Sequence, residues 1–369
     1  TVTIDLTGGT VPAGAVTVNL YHTGAIGGPI NINARADQQV TVHVIQDAAN
    51  DAGGGNYDPT FQDDAATAGN NAFLFANRVA DSNFDNTANA DGENEAAAGN
   101  TGPVNINVPA GGTFAGGTIS NEAGNLGVVT VNGDTLLTSN LFVDLDAASA
   151  TTGGITMTGN VDMNTNNANI LIVGAHGAGN ASGPINIASG ANSAVTIGNQ
   201  DLDINDEGSE GGFGAITFGD INFAGSGDVD IQNSTSGNLT SFTARSVDFL
   251  AGATGVFDFD INGTMGAFNI QNAGNDVNNA DSFRGEIDAF DLSTIGIGGD
   301  VATAGGTATF TANDTTVGDG SGNIGTTTVT GNVGRSGVTV AFNGEDGVGA
   351  SNPTGNRFET VHAKTDGAD

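Results

Sequence analysis

Two acidic runs carry the residue types and spacing that could do chemistry. Asp201-Leu202-Asp203-Ile204-Asn205-Asp206-Glu207, with Glu210 just beyond, gathers short oxygen side chains on a strand-like segment and the turn after it. With no Lys or Arg nearby in the sequence, that like charge has to be relieved by water, salt or a divalent cation. Asp258-Phe259-Asp260-Ile261-Asn262-Gly263 matches the opening D-x-D-x-N-G of a calcium loop, in which Gly permits the turn that brings the oxygens together. The match stops at the twelfth position, which is Asn269 rather than Glu. The same acids also alternate with Phe259 and Ile261, as on a strand whose polar face is wet. The candidate metal ligands are therefore Asp201, Asp203, Asp206, Glu207, Asp258, Asp260 and Asn262, with Ca2+ as the candidate ion and a hydrated acidic surface as the competing reading. A weaker candidate is Asp81-Ser82-Asn83-Phe84-Asp85 followed by Asp91-Gly92-Glu93-Asn94-Glu95, while the G-G-x-G-x-D nonapeptide of calcium-binding β-rolls is missing.

Signatures of catalysis are sparse. No Ser sits in G-x-S-x-G, no P-loop Lys is present, and His22, His43, His176 and His362 lack H-E-x-x-H spacing. Gly320-Ser321-Gly322-Asn323-Ile324-Gly325 fits G-x-G-x-x-G, but it opens onto a Thr-rich strand and offers no helix N-terminus to a pyrophosphate. With 41 acids in the chain, some carboxylate pair at glycosidase spacing is inevitable, so no single pair carries weight. Carbohydrate stacking platforms are scarce, since there is no Trp and only Tyr21 and Tyr57. The expectation is a chain that is not an enzyme.

Composition narrows the class further. The 369 residues carry a net charge of −34 from 41 acidic and 7 basic side chains, which repels nucleic acid and anionic membrane surfaces. There is no Cys, excluding disulfides, thiolate metal sites and cysteine nucleophiles. No apolar run reaches the ~18 residues of a membrane span. The chain opens directly on Thr1-Val2-Thr3-Ile4-Asp5-Leu6 instead of a basic and then apolar leader, so a secreted form is expected to have lost its signal. Gly accounts for 60 residues, and Asp outnumbers Glu by 33 to 8, a bias toward turns and sheet edges rather than helices.

The elements that must position the acids are strands. Val16-Thr17-Val18-Asn19-Leu20, Val40-Thr41-Val42-His43-Val44, Val104-Asn105-Ile106-Asn107-Val108, Phe257-Asp258-Phe259-Asp260-Ile261 and Val338-Thr339-Val340-Ala341-Phe342 alternate with period two. Phe218, Phe223, Phe249, Phe257 and Phe259 alternate with polar residues as core rungs would. Residues 60–80 are the best helix candidate. Gly28-Pro29-Ile30-Asn31-Ile32 returns as Gly102-Pro103-Val104-Asn105-Ile106 and Gly183-Pro184-Ile185-Asn186-Ile187, and Asp230-Ile231-Gln232-Asn233 returns as Asn269-Ile270-Gln271-Asn272. The intervals lie near multiples of about 20 residues, roughly one solenoid coil. The expected fold is all-β, a right-handed parallel β-solenoid (β-helix) with an inserted loop-rich region, and tandem β-sandwiches are the alternative. The expected organisation is N-terminal strands at 1–46, an acidic Asn/Gly-rich insertion at 47–101, the main array at 102–301, Thr/Gly-rich capping strands at 302–342 and a polar tail at 343–369.

Alternating Gly-, Asn-, Asp- and Thr-rich strands, a single Lys, and motifs such as Thr158-Gly159-Asn160-Val161 and Thr330-Gly331-Asn332-Val333 make the chain resemble secreted bacterial and archaeal surface-layer proteins, solenoid adhesins and extracellular filament subunits. The resemblance is compositional and covers about 300 residues. It implies a secreted or cell-surface structural protein that assembles into a layer or fibre, commonly with calcium. An adhesin is the alternative, and a polysaccharide-degrading β-helix enzyme is less favoured. The expected partner is a second copy, head to tail, with neither nucleic acid nor membrane insertion. Val2, Ile4 and Leu6, on one face of the first strand, are the candidate assembly residues, docking either in their own subunit or on a neighbour.

Overall fold

The computed structural model describes residues 1–22, 25–46, 100–121, 125–145, 153–173, 182–205, 212–233, 237–271, 281–301, 307–312, 324–329, 339–344 and 357–361. Every strand pairing among them is parallel, and each strand pairs with one that lies a whole coil away in sequence. That is a β-solenoid. An antiparallel sandwich is excluded by the same pairings.

Most coils contribute a strand to each of three faces. The first face runs from Val2–Asp5 through Ile30–Asn33, Val104–Asn107, Val129–Asn132, Ile155–Met157 and Ile185–Ile187. The second includes Thr135–Leu136, Val161–Asp162 and Ala194–Ile197. The third includes Leu141–Asp144, Ile170–Val173, Leu202–Asn205 and Val229–Asn233. Further along, Gly212–Phe223 and Asn238–Phe249 turn the corner between the first and second faces in one strand.

The alternation visible in the sequence becomes inside and outside. Ile30, Val104, Val129, Ile155 and Ile185 stack in register, all fully buried, while the residues between them face outward. On the outer first face, asparagines stack into an amide ladder: Asn105 Nδ2 donates to Asn31 Oδ1 (3.0 Å), Asn107 Nδ2 to Asn33 Oδ1 (2.9 Å) and Asn132 Nδ2 to Asn107 Oδ1 (2.9 Å). Inside, the phenylalanines form the expected rungs: Phe223 stacks on Phe249 at 4.5 Å and Phe242 on Phe268 at 5.2 Å, with Phe257 edge-on to Phe223 and Phe242. Such aromatic pairs add about 0.5–1.5 kcal/mol each beyond their buried area.

Several expectations are corrected. Outside the insertion, one coil advances the first face by 129 − 104 = 25 to 324 − 292 = 32 residues rather than about 20, because three strands and three corners must be traversed. The copies at Ile30 and Val104 are therefore adjacent rungs, separated in sequence by the insertion. Asp230 and Asn269 are not equivalent, since they lie on different faces. Segment 1–46 is not set apart from the array: Ile30–Asn33 and Gln38–Gln46 pair directly with 104–107 and 113–121. Ile324–Val329 is no cap, because it is flanked by strands on both sides. The polar tail contributes the strand Arg357–Val361 to the first face. The helix candidate at 60–80 and nearly all of the 47–101 insertion lie outside the described residues.

Two of the described arginines act as braces. Arg245 donates from Nε to Asp220 Oδ1 (2.7 Å) and from its terminal nitrogens to the carbonyls of Gly190, Ala191 and Ser193. Arg35 pairs with Asp37 and ties down the carbonyls of Gly8 and Val11.

A stacked carboxylate ladder as the candidate functional site

Parallel pairing puts the same position of successive rungs side by side, about 4.8 Å apart. On the third face the chain places an acid at that position four times running: Asp203 aligns with Asp230, Asp230 with Asp258, and Asp258 with Glu286. Two residues further along the same strands, Asn205, Gln232, Asp260 and Asp288 form a second column. Leu202, Ile204, Val229, Ile231, Phe257, Phe259 and Ile287 point the other way and are fully buried, which fixes both acidic columns on the outer side. The last rung needs Gly285, whose φ of +131° and close approach to the Phe257 carbonyl leave no room for a Cβ.

At the corner before this face, backbone donors steer the acids. The Asp228 N–H donates to Asp201 Oδ1 (2.9 Å), and the Val256 N–H donates to Asp228 Oδ1 (2.7 Å). Gln232 Nε2 donates to Asp230 Oδ2 (3.1 Å). Arg284, one residue before the last rung, donates to the Ala253 carbonyl and lies 4.4 Å over the Phe249 ring.

Burial and mutual repulsion shape the ionisation of the columns. Burial first, then Asp230, Asp201 and Asp228, push Asp203 up to about 7. Burial and Asp258 push Asp230 up to about 6, even against the bond from Gln232. Asp228, Asp260 and Asp288 are also raised, burial being the main cause in each. A ladder of this kind can hold protons, or it can collect cations that replace them.

The structure brings together some of the expected ligands. Asp201, Asp203, Asp258 and Asp260 belong to one acidic surface spanning several rungs, whereas Asp206 and Glu207 lie outside the described residues. Asp258 and Asp260 lie on the third-face part of the strand Phe257–Ile270, and the chain passes to the first face around Asn262 and Gly263, so the three do not close into a calcium loop. Among the described residues no three carboxylate or imidazole side chains are gathered into a preformed metal centre. Asp228, Asp230, Glu286 and Asp288 were not among the expected ligands. Their sequence signal is the acid between buried residues recurring at 230 − 203 = 27, 258 − 230 = 28 and 286 − 258 = 28.

The candidate assembly residues lie in their own subunit. Val2–Asp5 pairs in register with Ile30–Asn33, Val2 N–H donates to the Pro29 carbonyl, and Leu6 is buried. No protein-family model, no curated protein and no solved structure matches the chain.

Proposed function

We propose that this is an extracellular structural protein, at the cell surface or released from it, whose solenoids assemble end to end. The observation that carries this reading is the first rung. Val2, Ile4, Val16 and Leu20 point into the core but remain partly exposed, while their in-register neighbours one rung inward, Ile30, Ile32, Val40 and Val44, are fully buried. Among the described residues no strand pairs with the outer side of Val2–Asp5 or Gly14–His22. Such an edge is a template for another strand, and a second copy seated there makes a heterologous contact that propagates. Calcium is the expected stabilising ion in this reading, because a body with a net charge of −34 packs against its copies only when its field is neutralised.

The test follows from the ladder geometry. Val2 and Leu6 donate inward to the second rung, as Gly14 does, so the alternating N–H groups of Thr3 and Thr17 point to the open side. Thr3→Pro combined with Thr17→Pro removes two outward donors and no inward one, and Pro is tolerated on edge strands. The double variant should be monomeric by light scattering at concentrations where the unmodified chain assembles. Equal assembly would place the contact elsewhere, and a chain that never assembles would overturn the reading.

The uncharged Asn ladder of the first face favours a second reading, a cell-surface binding module that meets a neutral partner there.

A further inference from the structure

Three buried oxygens on the outer columns of the third face accept no hydrogen bond: Oδ1 of Asn205, of Asp230 and of Asp288. Asn205 is only 5% exposed, lies two residues beyond Asp203 on the same outward side, and aligns with Gln232 on the next rung. The Gln232 amide is turned to Asp230 Oδ2, so it leaves both Asn205 Oδ1 and Asp230 Oδ1 without a donor. Native proteins rarely strand buried oxygens in this way, since each loses its water and gains nothing in return. Here the stranded atoms belong to an amide and a carboxylate on adjacent rungs, with Asp203 aligned to Asp230 and with Asp201, Asp228 and Asp258 around them.

This donor set has the chemistry of a hard cation site: several carboxylates, one neutral amide oxygen and no sulfur or imidazole. The rung spacing suits it, since about 4.8 Å between strands is about twice a calcium–oxygen distance of about 2.4 Å. One ion between two rungs can therefore reach oxygens from both after small side-chain rotations. We propose that the third face binds a divalent cation of the Ca2+ class between the Asp203 and Asp230 rungs, with carboxylate oxygens of both and Asn205 Oδ1 as ligands. Two rungs further along the stack, Asp260 and Asp288 pair in the second column, with the stranded Asp288 Oδ1 as a counterpart. The proposal stands on the stack within one subunit and is independent of end-to-end assembly.

Isothermal titration calorimetry of Ca2+ into the chelator-treated full chain, against NaCl of matched ionic strength, tests it. Saturable binding is expected. Asp203→Asn and Asp230→Asn should each weaken it by roughly 10-fold or more, the scale on which single groups around a metal act. Asp162→Asn removes the same charge from the second face, and Asn keeps the Oδ1 that accepts from Asn164 and Thr165, so binding there should be unchanged. Heat no different from that of NaCl, or equal weakening by all three variants, would overturn the site in favour of a diffuse counterion cloud. Should Asp230→Asn lose its strand signal in circular dichroism, Eu3+ luminescence on the unmodified chain decides instead. A lifetime much longer than that of the aqua ion means inner-sphere protein ligands, and an aqua-like lifetime overturns the proposal. Repeating the titration on the Thr3→Pro/Thr17→Pro variant should give the same affinity, so that failed assembly and failed cation binding remain distinguishable.

Discussion

Asp203→Asn should stabilise the chain at about pH 8 in chelator and do little at about pH 4. The sign follows from where Asp203 sits. In the folded chain burial and the neighbouring acids hold its proton until about pH 7, whereas in the unfolded chain it is released near 3.8. The folded state thus binds more protons between those values, so the stability contribution falls as pH rises through that window and is flat above it. At ~1.36 kcal/mol per tenfold change, the rise from 3.8 to about 7 sets a ceiling of about 4 kcal/mol. Asn removes the charge but leaves a polar amide in the same half-buried position, at a cost of about 1 kcal/mol. The expected net gain at about pH 8 is therefore about 2–3 kcal/mol, vanishing by about pH 4. Urea unfolding followed by circular dichroism at both pH values, with chelator throughout, measures the difference. A variant less stable than the unmodified chain at the higher pH, or a gap that does not change with pH, would refute the account of burial and like-charge repulsion.

Other expectations rest on the core and its braces. Phe242→Ala should cost about 3–5 kcal/mol, because Phe242 is fully buried and touches Phe218, Phe257, Phe259 and Phe268; a loss under about 1 kcal/mol in urea unfolding would show that the stack collapses around the cavity. Arg245→Lys should lower stability by about 1–3 kcal/mol, since an ammonium cannot span Asp220 and the carbonyls of Gly190, Ala191 and Ser193 together. Full retention of the melting temperature would contradict that role. Deleting residues 1–9 should lower the melting temperature by uncovering Ile30 and Ile32, now fully buried beneath the first rung.

The sequence made the strands and their inner faces legible where period-two alternation was long, as in Val104 to Val108 or Phe257 to Ile261, because one buried side chain in two is a local property. Phe223, Phe249, Phe257 and Phe259 were readable as core for the same reason. What escaped depends on register. Corners of unequal length change the coil from 25 to 32 residues, so the repeat does not show as a fixed period. The neighbours of Asp203 are set by that register: Asp230 is its partner across the ladder, and Asp206 next to it in sequence was the more obvious choice. The strand Arg357–Val361 was hidden because its five residues stand within a long polar stretch, where alternation is too short to weigh against composition.

End-to-end assembly is the central claim, and electron microscopy with fibre diffraction on the purified full chain in millimolar calcium tests it most directly. Stacked solenoids have their strands perpendicular to the long axis, so the account predicts fibres, or sheets of aligned fibres, with a reflection near ~4.8 Å along the fibre axis. Dispersed single particles under these conditions would contradict it, as would assemblies whose ~4.8 Å spacing runs across the fibre axis.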